Sequence, residues 1–93
     1  MPEEKAAHVV IVGRVQGVGY RYFAVDAARE AGVRGWVRNC PNGDVECDVE
    51  GEAQRIDQWI GRLRQGPPLA RVQSVHVEWR PSTRQYADFT IQS

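Results

Sequence analysis

The sequence predicts an α+β fold: two helices laid on one face of a mainly antiparallel sheet. Three observations carry it. A β-branched run is followed by a glycine-rich stretch and an amphipathic segment. Two short strand-like segments flank an Asn-Gly turn signal. A second amphipathic segment then leads into an alternating apolar-polar run.

The first strand is His8 to Gly13, a nearly continuous β-branched run suited to a central strand. Tyr20 to Ala31 reads as a helix. Phe23, Ala27 and Ala31 recur at four-residue spacing with Ala24 and Ala28 beside them, and Gly32 supplies the stop. Gly35 to Cys40 and Asp44 to Glu50 read as a hairpin around Pro41, Asn42 and Gly43. With Asn42 and Gly43 as a type I′ pair, Cys40 faces Val45 and Arg38 faces Cys47. That register groups Trp36 with Val45, Cys47 and Val49 on the core face, and Asn39 with Glu46, Asp48 and Glu50 on the other.

Glu52 to Gln65 reads as the second helix, with Ile56, Trp59, Ile60 and Leu63 as its apolar stripe and Gly66-Pro67-Pro68 ending it. Val72 to Trp79 alternates like a strand, with a slip at Ser74 that suits a bulge or a frayed start. Phe89 to Ile91 reads as a short last strand. The order is that of a split β-α-β unit, a ferredoxin-like βαββαβ sandwich with a short extra C-terminal strand. Residues 1–7 read as a flexible N-terminal segment ahead of one domain over 8–93. The three tryptophans, Trp36, Trp59 and Trp79, read as buried or partly buried packing. His8 and His76 read as strand-end or surface residues.

The chain has 93 residues, 42% hydrophobic and 26% charged, which suits one globular domain. No apolar run reaches the roughly 20 residues of a membrane helix, and Met1 to Ala7 lacks the apolar core of a secretory signal. The expected location is the cytoplasm. Twelve bases balance twelve acids, which speaks against a nucleic-acid partner. The charges are segregated, however. Asn39 to Ala53 holds Asp44, Glu46, Asp48, Glu50 and Glu52 with no base, and reads as a solvated acidic strand face. Cys40 and Cys47 are too few for a zinc site and read as free thiols.

The stretch Gly13-Arg14-Val15-Gln16-Gly17-Val18-Gly19-Tyr20-Arg21 carries the chemistry. Its three glycines join a strand to a helix N-terminus. Such a loop can turn several backbone N–H groups inward around an anion, and the helix N-terminus adds unpaired donors. Arg21 in the first helical turn opposes the helix dipole, so a bound anion explains it better than helix stability does. The Gly-Lys-Ser/Thr ending of a Walker loop is absent. From spacing alone, a glycine-rich crossover with a surface arginine suits the same residues.

Val10 to Arg21 resembles the first signature of the acylphosphatase family. Gly35 to Asn39, followed by Asn42 to Glu46, resembles the second, and Tyr86 to Ile91 is similar to the family's C-terminal Tyr-x-x-Phe segment. The likeness runs from about His8 to Gln92. It implies the same ferredoxin-like fold and hydrolysis of small acyl phosphates to carboxylate and inorganic phosphate. By that likeness Arg21 is the substrate-binding catalytic arginine and Asn39 the catalytic asparagine. The backbone of Arg14, Val15, Gln16, Gly17, Val18 and Gly19 is the phosphate cradle. No metal, cofactor or covalent intermediate is implied, and a monomer is expected. Tyr20 stands where Phe is more usual, Cys40 where a small polar residue is, and Asn42 where Asp is common. None removes a catalytic group. Two other classes stay open: a non-catalytic module binding acyl or carbamoyl phosphate, and a Cys40 thiolate enzyme, which would lack the Cys-x5-Arg loop.

Overall fold

The computed structural model describes residues 3–93. Its elements are β1 (Glu4–Arg14), α1 (Tyr20–Ala31), β2 (Arg34–Asn39), β3 (Val45–Glu52), α2 (Ala53–Gln65), β4 (Arg71–Pro81) and β5 (Phe89–Ile91). The strands form one sheet in the order β4-β1-β3-β2-β5. All pairings are antiparallel except β5 on β2, which is parallel. This is the ferredoxin-like sandwich with the extra C-terminal strand.

The core lies between the sheet and the helices. Ala7, Val9 and Ile11 of β1 point into it beside Val45, Cys47 and Val49 of β3 and Val37 of β2, all fully buried. α2 contributes Ile56, Trp59, Ile60 and Leu63, as its stripe predicts. Trp59 is fully buried; its indole N–H donates to Ala24 O (3.1 Å) and its ring packs edge-on to Phe89 at 5.3 Å. The buried face of α1 centres on Ala24, Val25, Ala27 and Ala28, with Phe23 half-buried at its margin under the Arg62 guanidinium. The small alanines let α1 approach the sheet closely.

Several expectations are corrected here. β1 begins at Glu4, so the flexible segment expected over 1–7 does not hold for Glu4 to Ala7. Ala6 and Ala7 are fully buried, flanked by Glu50 and Val49 on one side and Arg80 and Trp79 on the other. The β2-β3 register also differs by one residue. Asn39 pairs with Val45, Arg38 with Glu46 and Val37 with Cys47. The cause is Pro41. Its fixed φ suits the second position of a type I turn. The turn therefore runs Cys40 to Gly43, closed by Gly43 N–H to Cys40 O (3.1 Å), with Cys40 N–H to Asp44 O (2.8 Å) beyond it. Shifting by one residue exchanges the faces. Trp36 leaves the core side and Asn39 enters it. Trp79 is 43% exposed rather than packed, and His8 lies mid-strand rather than at a strand end. The bulge in β4 is present: Val12 pairs with Ser74 and Gly13 with Val72, leaving Gln73 as the extra residue.

The sheet face away from the helices is not the solvated acidic surface expected. The segment from Ser82 to Asp88 straps across it. Glu50, fully buried, accepts Thr83 N–H (3.0 Å) and Thr83 Oγ1 (3.2 Å) at Oε2, and Gln85 N–H (2.9 Å) and Tyr86 N–H (3.4 Å) at Oε1. Asp48 takes a two-pronged Arg80 guanidinium (2.7 and 2.6 Å) and the Tyr86 hydroxyl (2.6 Å), which in turn accepts from the Trp36 indole (3.1 Å). Glu46 pairs with His8 (2.9 Å) and Arg38. The carboxylates are thus paired and, for two of the three, removed from water.

Candidate active site

The turn from β1 into α1 is built to expose backbone donors. Gly17 and Gly19 have φ of 73° and 77°, in the left-handed region. A Cβ at either would meet nothing within 4 Å, so the sign of φ, not space, calls for glycine. Gly19 caps α1 without any side-chain hydrogen bond, and the first turn holds no acidic residue. The leading N–H groups of α1 therefore keep their positive end open to an anion. Buried side chains hold the loop at both ends. Val15 and Tyr20 are each 1% exposed, and Tyr20 donates its hydroxyl to Leu63 O in the last turn of α2 (2.7 Å).

Gln16 is more than a backbone member of the loop. Its Nε2 donates to Cys40 O and Asp44 O, both at 2.8 Å, tying the loop to the β2-β3 turn. The sequence shows only a polar residue in an apolar-glycine run; its partners are carbonyls more than twenty residues away. Both carbonyls keep their own turn hydrogen bonds. Gln16→Ala is therefore expected to cost only about 1–2 kcal/mol of stability. It should reduce acyl phosphate turnover roughly 10-fold, because the loop and β2 lose their common anchor. Denaturant unfolding and steady-state kinetics on the same preparation separate the two effects; unchanged kcat with lowered stability would limit Gln16 to scaffolding.

Asn39 is the last residue of β2, beside that turn and on the helix side of the sheet. Its Oδ1 is buried and has no hydrogen-bond partner among the described residues. A buried acceptor left open costs roughly 1–3 kcal/mol and calls for an explanation. Arg21 lies in the first turn of α1, half-buried, and pairs with no acidic side chain among the described residues. Arg38 and Arg80, by contrast, are neutralised by Glu46 and Asp48. The strand directions bring the pieces together. β1 ends, α1 begins and β2 ends at one end of the sheet, so the Arg14–Gly19 loop, Arg21 and Asn39 share that end.

Other chemistry is less well supported. Burial, with the Glu46 carboxylate adding to it, pushes the Cys40 thiol above its ordinary value, which disfavours a nucleophilic thiolate. Cys47 is fully buried, its thiol is raised further, and it pairs with Val37. Both thiols are free. Among the described residues no group of three or more His, Cys, Asp or Glu side chains is arranged to hold a metal ion. A groove of about 530 Å³ lined by Arg14, Asn42, Asp44 and Arg71 includes neither Arg21 nor Asn39. No helix among the described residues is long and apolar enough to cross a membrane.

Comparison with known families decides the identity. The acylphosphatase family model matches residues 7–91. The chain belongs to the acylphosphatase family. It is 55% identical over 73 residues to an acylphosphatase of Thermococcus kodakarensis, covering 78% of this chain and 80% of that protein. The crystal structure of Bacillus subtilis acylphosphatase superposes with a TM-score of 0.93 at 30% identity, covering 96% of this chain and 99% of that one. T. kodakarensis HypF contains the same fold within a much longer chain: TM-score 0.83, 34% identity, 96% of this chain but 12% of that one. As an acylphosphatase, the protein is an enzyme that hydrolyses acyl phosphates.

Proposed function

We propose that the Arg14–Gly19 backbone and Arg21 bind the phosphoryl group of a small acyl phosphate, and that Asn39 holds the attacking water in line with phosphorus. The observation that carries this reading is the buried Asn39 Oδ1, unpartnered among the described residues, at the same end of the sheet as an arginine without an acidic partner among them and an uncapped helix N-terminus. The leaving group is a carboxylate, whose conjugate acid has a pKa of roughly 4–5, so no strong general acid is required. Water oxygen bonds to phosphorus as the P–O bond to the acyl group breaks. The electron pair leaves on the carboxylate, and the water's second proton departs with the phosphate product. Loop N–H groups and the Arg21 guanidinium stabilise charge on the equatorial oxygens, and Asn39 Oδ1 accepts a hydrogen bond from the water. An amide is too weak a base to take the proton; its contribution is orientation.

Such a mechanism needs no metal or organic cofactor. The whole set lies within one chain, so we propose that it acts as a monomer, in the cytoplasm, with inorganic phosphate as product and competitive inhibitor. The competing reading is a phosphate-binding module without turnover, motivated by the occurrence of this fold within HypF. The two separate on one assay. After EDTA dialysis, the protein is expected to hydrolyse benzoyl phosphate with undiminished kcat, inhibited competitively by inorganic phosphate. A folded but inactive protein that still binds phosphate would establish the module instead.

A further inference from the structure

The groove beside α1 and β5 has not been accounted for. It is about 380 Å³ and is lined by Tyr22, Val25, Asp26, Phe89 and Ile91, among others. Two of these are exposed although large and apolar: Tyr22 at 69% and Ile91 at 37%. Its position follows from connectivity. Tyr22 adjoins Arg21 in the first turn of α1. β5 runs parallel to β2, with Ile91 paired to Val37 and Gln92 N–H donating to Val37 O (2.8 Å). Asn39 lies two residues beyond Val37. The groove therefore runs along α1, from Arg29 and Phe89 beside the start of β2 to Tyr22 and Ile91, and this last end lies toward Arg21 and Asn39, neither of which lines it.

Its charges are selective. Arg29 is engaged by Asp88 and Phe89 O, each at 3.4 Å, while Asp26 has no basic partner among the described residues. An acidic acyl group entering here would meet uncompensated negative charge. An apolar, flat one would meet the Tyr22 ring and the Ile91 side chain.

We infer that this groove receives the acyl portion of the substrate, with Tyr22 and Ile91 selecting apolar, including aromatic, acyl phosphates. The inference rests on the assignment of the loop, Arg21 and Asn39 as the phosphoryl site. Covering one ring face and a branched side chain is enough for a tenfold preference, the scale on which hydrophobic pockets discriminate.

The test compares benzoyl phosphate with acetyl phosphate in wild type, Tyr22→Ala and Tyr22→Phe. Tyr22 is exposed and makes no hydrogen bond among the described residues, so both variants should fold. Tyr22→Ala is expected to lower kcat/KM for benzoyl phosphate about 10-fold, mainly through KM, and to leave acetyl phosphate within about 2-fold. Tyr22→Phe should restore the wild-type ratio. Equal losses on both substrates, or none on either, would overturn the acyl groove while leaving the phosphoryl site intact. If wild type hydrolyses neither substrate, the catalytic assignment fails and the groove's role with it.

Discussion

Arg21→Gln is expected to lower kcat/KM for benzoyl phosphate by about 10³-fold, equivalent to about 4 kcal/mol of transition-state stabilisation. Glutamine reaches the same region and keeps one hydrogen-bond donor group, but it has neither the charge nor the forked geometry of guanidinium. Charge on the phosphoryl oxygens is what the site must stabilise, so the loss should exceed that of an ordinary hydrogen bond. Arg21 forms no ion pair among the described residues and is only half-buried. The variant should therefore unfold at or slightly above the wild-type midpoint, since a cation at the positive end of α1 has been removed. Asn39→Ala makes the complementary case. It should lower kcat by about 10²-fold with little change in phosphate inhibition, because water positioning is lost and anion binding is not. If Arg21→Gln retained kcat/KM within about 3-fold, phosphoryl binding would have to be carried by the loop N–H groups alone.

The division between what could be read from the chain and what could not follows the range of the interactions. Gly32 and Gly66-Pro67-Pro68 end helices through backbone geometry within a few residues, so α1 and α2 were legible to within a residue. The glycine loop and Arg21 were legible for the same reason: a strand, three glycines and a first helical turn are consecutive. The faces of β3 are legible as well, with Val45, Cys47 and Val49 on the core side, but those of β2 are not. Pro41 moved the hairpin register by one residue, and that single shift carried Asn39 to the helix side and Trp36 away from it. Family resemblance marks Asn39, whereas local turn chemistry assigns it to the opposite face from the one it occupies. The polar residues Glu3, Glu4 and Lys5 hide the start of β1 in the sequence. Pairing with β3 and β4, some 45 and 75 residues away, orders Glu4 to Ala7 in spite of that.

The acidic segment, which its pattern alone presents as a solvated face, is the source of a second large effect. Polar alternation along Glu46, Asp48 and Glu50 looks like a wet face because its partners, the Thr83, Gln85 and Tyr86 amides and the Arg80 side chain, leave no pattern near it. The arrangement places carboxylates where an apolar second layer would otherwise cover the sheet. It holds the β4-β5 connection in place and so delivers β5 alongside β2, where Ile91 pairs with Val37 and Gln92 N–H donates to Val37 O.

Glu50→Gln is accordingly expected to destabilise the fold by about 2–4 kcal/mol, a large fraction of a small domain's stability. The substitution preserves volume, so no cavity term enters. One carboxylate oxygen becomes an NH2 group facing amide donors that need an acceptor, and the charge that strengthened the remaining hydrogen bonds is lost. Burial raises the Glu50 pKa, but the Thr83, Gln85 and Tyr86 N–H groups outweigh it and hold the carboxyl below its ordinary value. Asp48 is likewise lowered, by Arg80 and Tyr86 against its own burial. Stabilisation from both groups is complete above the unfolded-state carboxylate range, and it is lost as pH falls below about 4 through the folded-state values. Urea midpoints measured from pH 7 to pH 3 should fall steeply for wild type. In Glu50→Gln they should start lower and fall less, since one of the two linked carboxylates is gone. The m-value should be unchanged unless the strap detaches. A variant within about 0.5 kcal/mol of wild type at pH 7 would mean that the strap is held by Asp48 and Arg80 without Glu50.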